Sequence, residues 1–582
     1  MSRKKFIAAL TAVAFIFTLT SGISRAEVVG DGHWVAPINP APTWRSANFQ
    51  DDVVSIDTYP HLTAEEYKSE TDWNRYVCTS TQDAHCQNKS QFSFTSILPV
   101  CDPTYVSNCI EGVESISSNG TRDKGVFQNY TIPDHINKFT ADPKLGIPAT
   151  ETPSIWNLAN TPNKAGIKYA LVAGIKGSVR TGNSGNATGN QLYAYLIPAS
   201  TINSTDPRSE SPNHVSYDNE WEAIDSTGHY NSNGYGASVD ACVISLAEQG
   251  KCITPVAFPE GYKFSVKIKL SQEPTAWLHG RMVDPSIQVS KIGSDTEVIV
   301  EAGPTNVPVF YFGGIASALP DEANKFWWNC FKTSGCAIAG GTRSGPQINW
   351  QQPWTQAYSE TFNLWLNVQN YGEAALNGIK VLAPLAGDKS VAQSSSWSFH
   401  TLSNGEMQSA NPCFATGPGL KGIVSTNSTV YSEGPPVFAN DTLNYKVASA
   451  HYTSDGSVFK GSYNLVMRSD VARCVYKFSS APIKASIEVV SENGDASNVA
   501  TTAANEKDGW LYLSANNFTF SAPTVKVKLS QDVAARPSPV APVTTTAPKP
   551  TSKQSAITCV KGKTTKKITA ATPVCPKGYV KK

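Results

Sequence analysis

Beyond its first 20 residues the sequence has no apolar run approaching the roughly 20 residues that a membrane-spanning helix needs. The chain past its leader is therefore expected to be soluble, or held to a surface by something other than a helix. Signatures of common hydrolytic and phosphate chemistry are also missing. None of the nine histidines lies in His-Glu-x-x-His, and there is no Gly-x-Ser-x-Gly elbow and no Walker loop. Asp-x-Asp-x-Asp-Gly spacing is absent, which leaves no standard calcium loop. Acid is missing from residues 533–582, which hold ten cations, and from the leader, which holds four. No cysteine is left over from pairing, because all twelve fall into neighbouring couples. No cofactor is implied by any of this.

What the ends do contain is distinctive. Arg3, Lys4 and Lys5 precede an apolar run from Phe6 to about Thr20, and Ser24-Arg25-Ala26 follows, the pattern of a secretory signal peptide (1–26) cut after Ala26. Setting aside the leader's four cations and the tail's ten, the overall charge of +1 becomes −13 over residues 27–532. An acidic body thus ends in a basic tail. Nucleic acid is a poor partner for such a body, since phosphates would be repelled.

The cysteines read as a disulfide framework taken in sequence order: Cys78 with Cys86, Cys101 with Cys109, Cys242 with Cys252, Cys330 with Cys336, Cys413 with Cys474, and Cys559 with Cys575. Zinc competes for the four between Cys78 and Cys109. Zinc ligands prefer pairs two to four residues apart, however, and here seven residues separate the partners.

Taken in order, residues 27–110 read as an extended arm, a short helix and stapled loops packing on a first β domain. The helix is expected over about 64–77, because Thr63 and Glu66 have the spacing of a capping box; its acids Glu65, Glu66, Glu70 and Asp72 read as a solvated face. Residues 111–301 read as a first β-sandwich-like domain. Ile167 to Val179 and Gln191 to Ile197 form a hairpin around a loop at 181–186, and more strands follow at 262–270, 276–283, 286–292, 297–301 and 307–311. In Tyr262 to Leu270 polar and apolar residues alternate, as in a strand with one wet face.

A middle region, 302–395, is expected to be mixed α/β. Trp354, Tyr358, Phe362, Trp365 and Val368 predict a helix over 355–371 ended by Gly372. Phe326 to Phe331 read as a Trp-rich stapled loop. Its aromatics Trp327 and Trp328 suit ligand stacking on a sugar ring, although so dense a cluster is more often core or a domain interface, because Trp and Phe carry large apolar area. Residues 396–532 read as a second β-sandwich-like domain, with strands at 422–430, 443–448, 463–467, 483–490, 510–513 and 524–529. Two echoes link the β regions: Tyr262-Lys263-Phe264-Ser265 with Tyr476-Lys477-Phe478-Ser479, and 265–272 with 524–531. A disordered Pro/Thr-rich linker (533–555) and a basic cysteine-containing tail (556–582) complete a mainly β, multidomain chain.

The tail begins Cys559-Val560-Lys561-Gly562-Lys563 and closes Cys575-Pro576-Lys577-Gly578-Tyr579, and in this it resembles the short basic ending of secreted and cell-surface proteins of actinobacteria. Arg473 to Ser479, Asp508-Gly509-Trp510-Leu511 and Phe518 to Ser521 resemble a β-rich region of large uncharacterised exported proteins of the same group. The resemblance implies a surface location and supplies no mechanism. It also makes the eight Asn-x-Ser/Thr sites, Asn119, Asn129, Asn186 and Asn517 among them, incidental to a chain rich in these residues.

The expectation is a secreted or cell-envelope protein with a structural, adhesive or binding role. Lys561, Lys563, Lys566, Lys567, Lys577, Lys581 and Lys582 would bind an anionic surface polymer or carbohydrate. The alternative is a secreted glycan-active hydrolase using paired carboxylates, drawn from Asp218, Glu220, Glu222 and Asp225 in the polar stretch 214–240.

Overall fold

The structure, a computed structural model, describes residues 28–29, 33–34, 44–49, 58–531 and 554–582, apart from breaks at 70–71, 136, 181–187, 204–242, 249–250, 275, 333–337, 343–362, 409, 416, 481–482, 491–495, 498–500 and 521–523. Its architecture is mainly β. Two compact units divide at Asp532/Val533, where the acidic composition gives way to the basic one.

The larger unit is organised around one 15-stranded sheet. Its path runs through Thr501–Lys507, Trp510–Phe518, Gly461–Arg468, Gly422–Thr426, Trp277–Arg281, Ser398–Thr401, Thr188–Asn203, Lys168–Arg180, Gln91–Ile97, His61–Ser69 and Asp72–Val77. Neighbours on this path are antiparallel, except that Trp277–Arg281 runs parallel to Gly422–Thr426. Residues from both anticipated sandwiches therefore meet in a single hydrogen-bonded layer.

A five-stranded sheet and a six-stranded sheet cover this layer. One contains Val283–Ile292, Asp295–Gly303, Tyr262–Leu270, Cys109–Ser117 and Arg122–Lys124. Its Phe264, Val266, Ile268 and Leu270 pack with Leu171, Leu196, Leu278, Ile423 and Val466 of the central sheet. The other includes Val430–Tyr431, Thr442–Ala448, Thr524–Gln531 and Ile483–Val490. Its Leu443, Tyr445, Val525 and Val527 pack with Trp277, Val424, Leu465 and Met467. Successive side chains on a strand point to opposite faces. Leu278, Ile423 and Val466 thus serve one cover sheet, while their neighbours Trp277, Val424 and Leu465 serve the other. The two sandwiches share their middle layer, one on each side.

Because they are covered on both faces, the central strands lose the alternation that marks a half-wet strand. Every residue of Trp277–Arg281 and of Gly422–Thr426 is buried. Gly422 is needed there, since a Cβ would fall 2.6 Å from the Trp277 ring and 2.4 Å from the carbonyl of Val466. By contrast, Tyr262–Leu270 keeps its predicted alternation: Lys267 on its wet side pairs with Glu297 and, at 3.3 Å, with Glu111.

Most predicted strands are present, Tyr262–Leu270 and Ile483–Val490 at the anticipated limits. The hairpin joins Lys168–Arg180 to Thr188–Asn203. The second echo falls on two middle strands, Tyr262–Leu270 and Thr524–Gln531, each third in a five-strand order. The first does not, for its second copy spans the end of the helix Ser469–Tyr476 and the left-handed Lys477.

Two helices expected from local pattern are strands instead. His61–Ser69 and Asp72–Val77 form a hairpin where a helix over 64–77 was predicted. Glu65 accepts from Gln91 at 2.9 Å and Glu66 pairs with Lys89 at 3.0 Å. These cross-strand partners replace the capping box. In the middle region, Asn363–Val368 is a strand running parallel to Trp44–Phe49, and residues 355–362 lie outside the described part. Gly372, with φ of 90°, does not end a helix but precedes the helix Glu373–Leu382. The arm 27–60 contributes Trp44–Phe49, which is the middle strand of a mixed sheet rather than a cover laid on a domain.

The smaller unit, 533–582, is described from residue 554 onward. It is a three-stranded sheet with Ser555–Lys561 between Thr564–Ala570 and Val580–Lys581. Residues 533–553 of the predicted disordered linker lie outside the described part, and its last residue, Ser555, opens a strand.

Candidate functional site

Four of the six cysteine pairs read from sequence are bonded: Cys78–Cys86, Cys101–Cys109, Cys413–Cys474 and Cys559–Cys575. Their sulfurs are joined to each other, so zinc is excluded for the first four. Cys252 is disulfide-bonded as well. Cys242, the side chain of Cys330, and Cys336 lie outside the described residues.

The Trp-rich segment is not a loop. Phe326 to Phe331 lie on the helix Asp321–Lys332, and Trp327 is 1% exposed in a core with Phe49, Phe312 and Ile379. Its indole N–H donates to the carbonyl of Ser46 at 3.2 Å. An indole enclosed on both faces cannot stack on a sugar, so Trp327 is a core residue; the Trp328 side chain lies outside the described residues. The carboxylates of the hydrolase alternative, Asp218, Glu220, Glu222 and Asp225, fall in the undescribed stretch 204–242.

The lysines of the tail are the site that the structure builds most completely. A unit of this size has too little core to hold itself together. Cys559, fully buried on the middle strand, supplies the staple through Cys575. The Gly562-Lys563 turn, with Gly562 at φ of 58°, connects the first two strands. Register then decides where each ammonium goes. Cys559 lies opposite Lys566 and Lys581, which puts those two on its face together with Lys561. Lys567 lies opposite Thr558 and points the other way.

Lys563 occupies the turn, and Lys577 precedes Tyr579, whose ring sits 5.5 Å from the Lys566 ammonium. The seven lysines are exposed, and no Asp or Glu occurs in residues 533–582 to neutralise them. Such a surface carries a positive field that salt screens. That the tail forms a sheet was not anticipated; the β-branched run Ile557, Thr558 and Val560 and the Gly562 turn were the available signals.

Elsewhere in the body one buried and one half-buried histidine mark a sensitivity to acid. His279 is fully buried against Tyr431, rings stacked at 3.8 Å, and burial, then the nearby Arg281 and His400, hold it well below its ordinary value. His135, stacked on Tyr59 at 5.2 Å, is lowered to about 4 by burial and by Lys138. A histidine depressed in the folded state binds its proton more readily when unfolded. Stability is therefore fully present above about pH 6.5 and is lost as pH falls toward 4. Carboxylates held low, such as Asp470 and Glu506, add losses of the same sign only below about pH 4.5. Urea midpoints should fall between pH 7.5 and 4.5, by roughly 2 kcal/mol from His135 after allowing for its partial exposure. His279→Phe should reduce the size of that fall.

No protein-family model matches this chain, and no curated protein is similar enough to it to count as a relative.

Proposed function

We propose that the protein is exported and works outside the cell as a non-enzymatic surface component with a structural, adhesive or binding role, its C-terminal unit attaching it to an anionic envelope polymer. One observation carries the reading: seven lysines stand exposed on a disulfide-stapled sheet that contains no acidic side chain. The leader pattern at 1–26 supports export, as does an extensive disulfide framework. The resemblance of the ending to those of secreted actinobacterial proteins supports the same location. Among the described residues no helix is long and apolar enough to cross a membrane.

By analogy with basic segments at anionic membranes, each lysine contributes about 1 kcal/mol near the surface, and salt weakens the total. Deleting residues 556–582 is expected to move the protein from washed cells into the medium. Changing the seven lysines to glutamine should do the same while leaving the Cys559–Cys575 staple in place. Wild-type protein should elute from cells as NaCl is raised. Equal retention of the truncated and intact chains on washed cells would remove the tail from the account.

A further inference from the structure

The body carries a hollow at one end of the central sheet. Here Val283–Ile292, the outermost strand of its cover sheet, approaches the adjacent central strands Gly461–Arg468 and Trp510–Phe518. Between them opens a cleft of about 530 Å³, within the range of about 300–1,000 Å³ typical of small-molecule sites. Its apolar lining is Trp510, Val289 and Leu420. Trp510 is half-buried, packed on one side against the core. It enters the cleft directly after the Asp508-Gly509 turn, where both residues have positive φ, 53° and 80°. Such a turn reverses a hairpin in two residues, which holds Asp508 close beside the indole.

The polar lining is balanced, with Lys291, Arg468 and Arg473 set among Glu273, Asp470 and Asp508. Several of these groups are fixed before any ligand arrives. Arg468 makes a two-point contact with Asp470, at 3.0 and 2.5 Å, and also donates to the Pro418 carbonyl at 3.2 Å. Arg473 is held by Glu506 at 2.7 Å. Glu273 accepts the Leu420 N–H at 3.2 Å. A polyanion would meet three carboxylates here and a cation three basic groups, so neither is favoured. An indole beside preset donors and acceptors suits a ligand that has an apolar face and a rim of hydroxyls.

We infer that this cleft is a subsite for a neutral saccharide, with the sugar ring on Trp510 and its hydroxyls bonded by the charged side chains around it. The site is separate in chemistry from the basic tail, and its ligand carries no charge.

The test is titration calorimetry on the full chain with neutral oligosaccharides as probes: cellotetraose, xylotetraose, maltotetraose and chitotetraose. At least one should bind saturably, with an affinity unchanged within twofold between 50 mM and 500 mM NaCl. Trp510→Ala should weaken that binding at least tenfold, and Trp510→Tyr, which keeps a stacking ring, should recover part of it. Asp508→Asn provides a second variant at an exposed position whose left-handed backbone Asn tolerates, and it should weaken binding at least threefold with the thermal midpoint unchanged. The inference fails if no probe binds wild-type protein at 10 mM, or if the bound probe is indifferent to both Trp510→Ala and Asp508→Asn. Binding that salt abolishes and that deletion of residues 556–582 removes would assign the sugar to the tail and overturn it equally. Because the readout is an uncharged ligand, failure here leaves the polymer-binding role of the lysines standing.

Discussion

Replacing Arg281 by methionine is expected to lower the stability of the body by about 3 kcal/mol, since hydrogen bonds to a charged group contribute about 1.5–3 kcal/mol and a buried acceptor left without its donor costs about 1–3 kcal/mol. Arg281 closes the strand Trp277–Arg281 and is 1% exposed. Its guanidinium donates to the carbonyls of Thr426 at 3.0 Å, Ser428 at 2.8 Å and Thr429 at 3.4 Å, and it lies 4.8 Å from the Tyr431 ring. Those carbonyls belong to the stretch in which the chain leaves Gly422–Thr426 in the central sheet for Val430–Tyr431 in a cover sheet. Methionine keeps the volume and loses every donor, so buried acceptors are left without partners. Lysine offers a single ammonium in place of the planar fork and should recover only part of the loss. Denaturant titration should show a lower midpoint with an unchanged slope. A loss below about 1 kcal/mol, the scale of one ordinary hydrogen bond, would mean that the layer change is held by its packing alone.

The second large effect is expected from the Cys413–Cys474 bridge. It joins the short helix Pro412–Ala415 to the helix Ser469–Tyr476 across a sequence separation of 61. On the chain-entropy model, closing a loop of that length constrains the unfolded chain by about 4 kcal/mol, against about 2.5 kcal/mol for a loop of nine residues. The native contacts here are also tight: Phe414, next to Cys413, meets Trp277 edge-on at 4.9 Å. The double variant Cys413→Ser, Cys474→Ser should therefore lose more stability than Cys78→Ser, Cys86→Ser under the same conditions. Paired denaturant midpoints decide the order. The reverse ranking would place the stabilisation in native packing around the small loop and would contradict the entropic account.

Legibility in sequence followed the range of the forces involved. Tyr262–Leu270 was readable because one of its faces is wet, so Lys267 and Lys269 alternate with Val266, Ile268 and Leu270. At 61–77 local and distant signals conflicted. The Thr63 to Glu66 spacing suits a helix start, yet the partners of those acids are Lys89 and Gln91, on a segment whose proximity no local pattern reveals. At 363–368 a segment read as helical is a strand between two others, with Leu366 and Val368 buried; a helical period and a buried strand are hard to tell apart over a short apolar window. For the tail, composition revealed the charge and the cysteine pair, while strand register determined which lysines share a face. The cleft at Trp510 had no sequence signature, because its lining comes from segments between residues 273 and 510 that only the stacking of sheets brings together.

By itself, then, the amino-acid order determined the β character, most strand positions, the pairing of neighbouring cysteines and the separation of an acidic body from a basic ending. Apart from the Cys413–Cys474 pair, whose partners stand 61 residues apart, these follow from side-chain period, turn composition and chain proximity, all of which act over short stretches. Tertiary structure alone decided that both sandwiches share one sheet, that Trp327 is enclosed while Trp510 lines a cleft, and that Trp44–Phe49 joins a sheet interior. Each of those outcomes depends on which apolar face finds which partner, and burial is not directional, so nothing along the chain specifies it in advance.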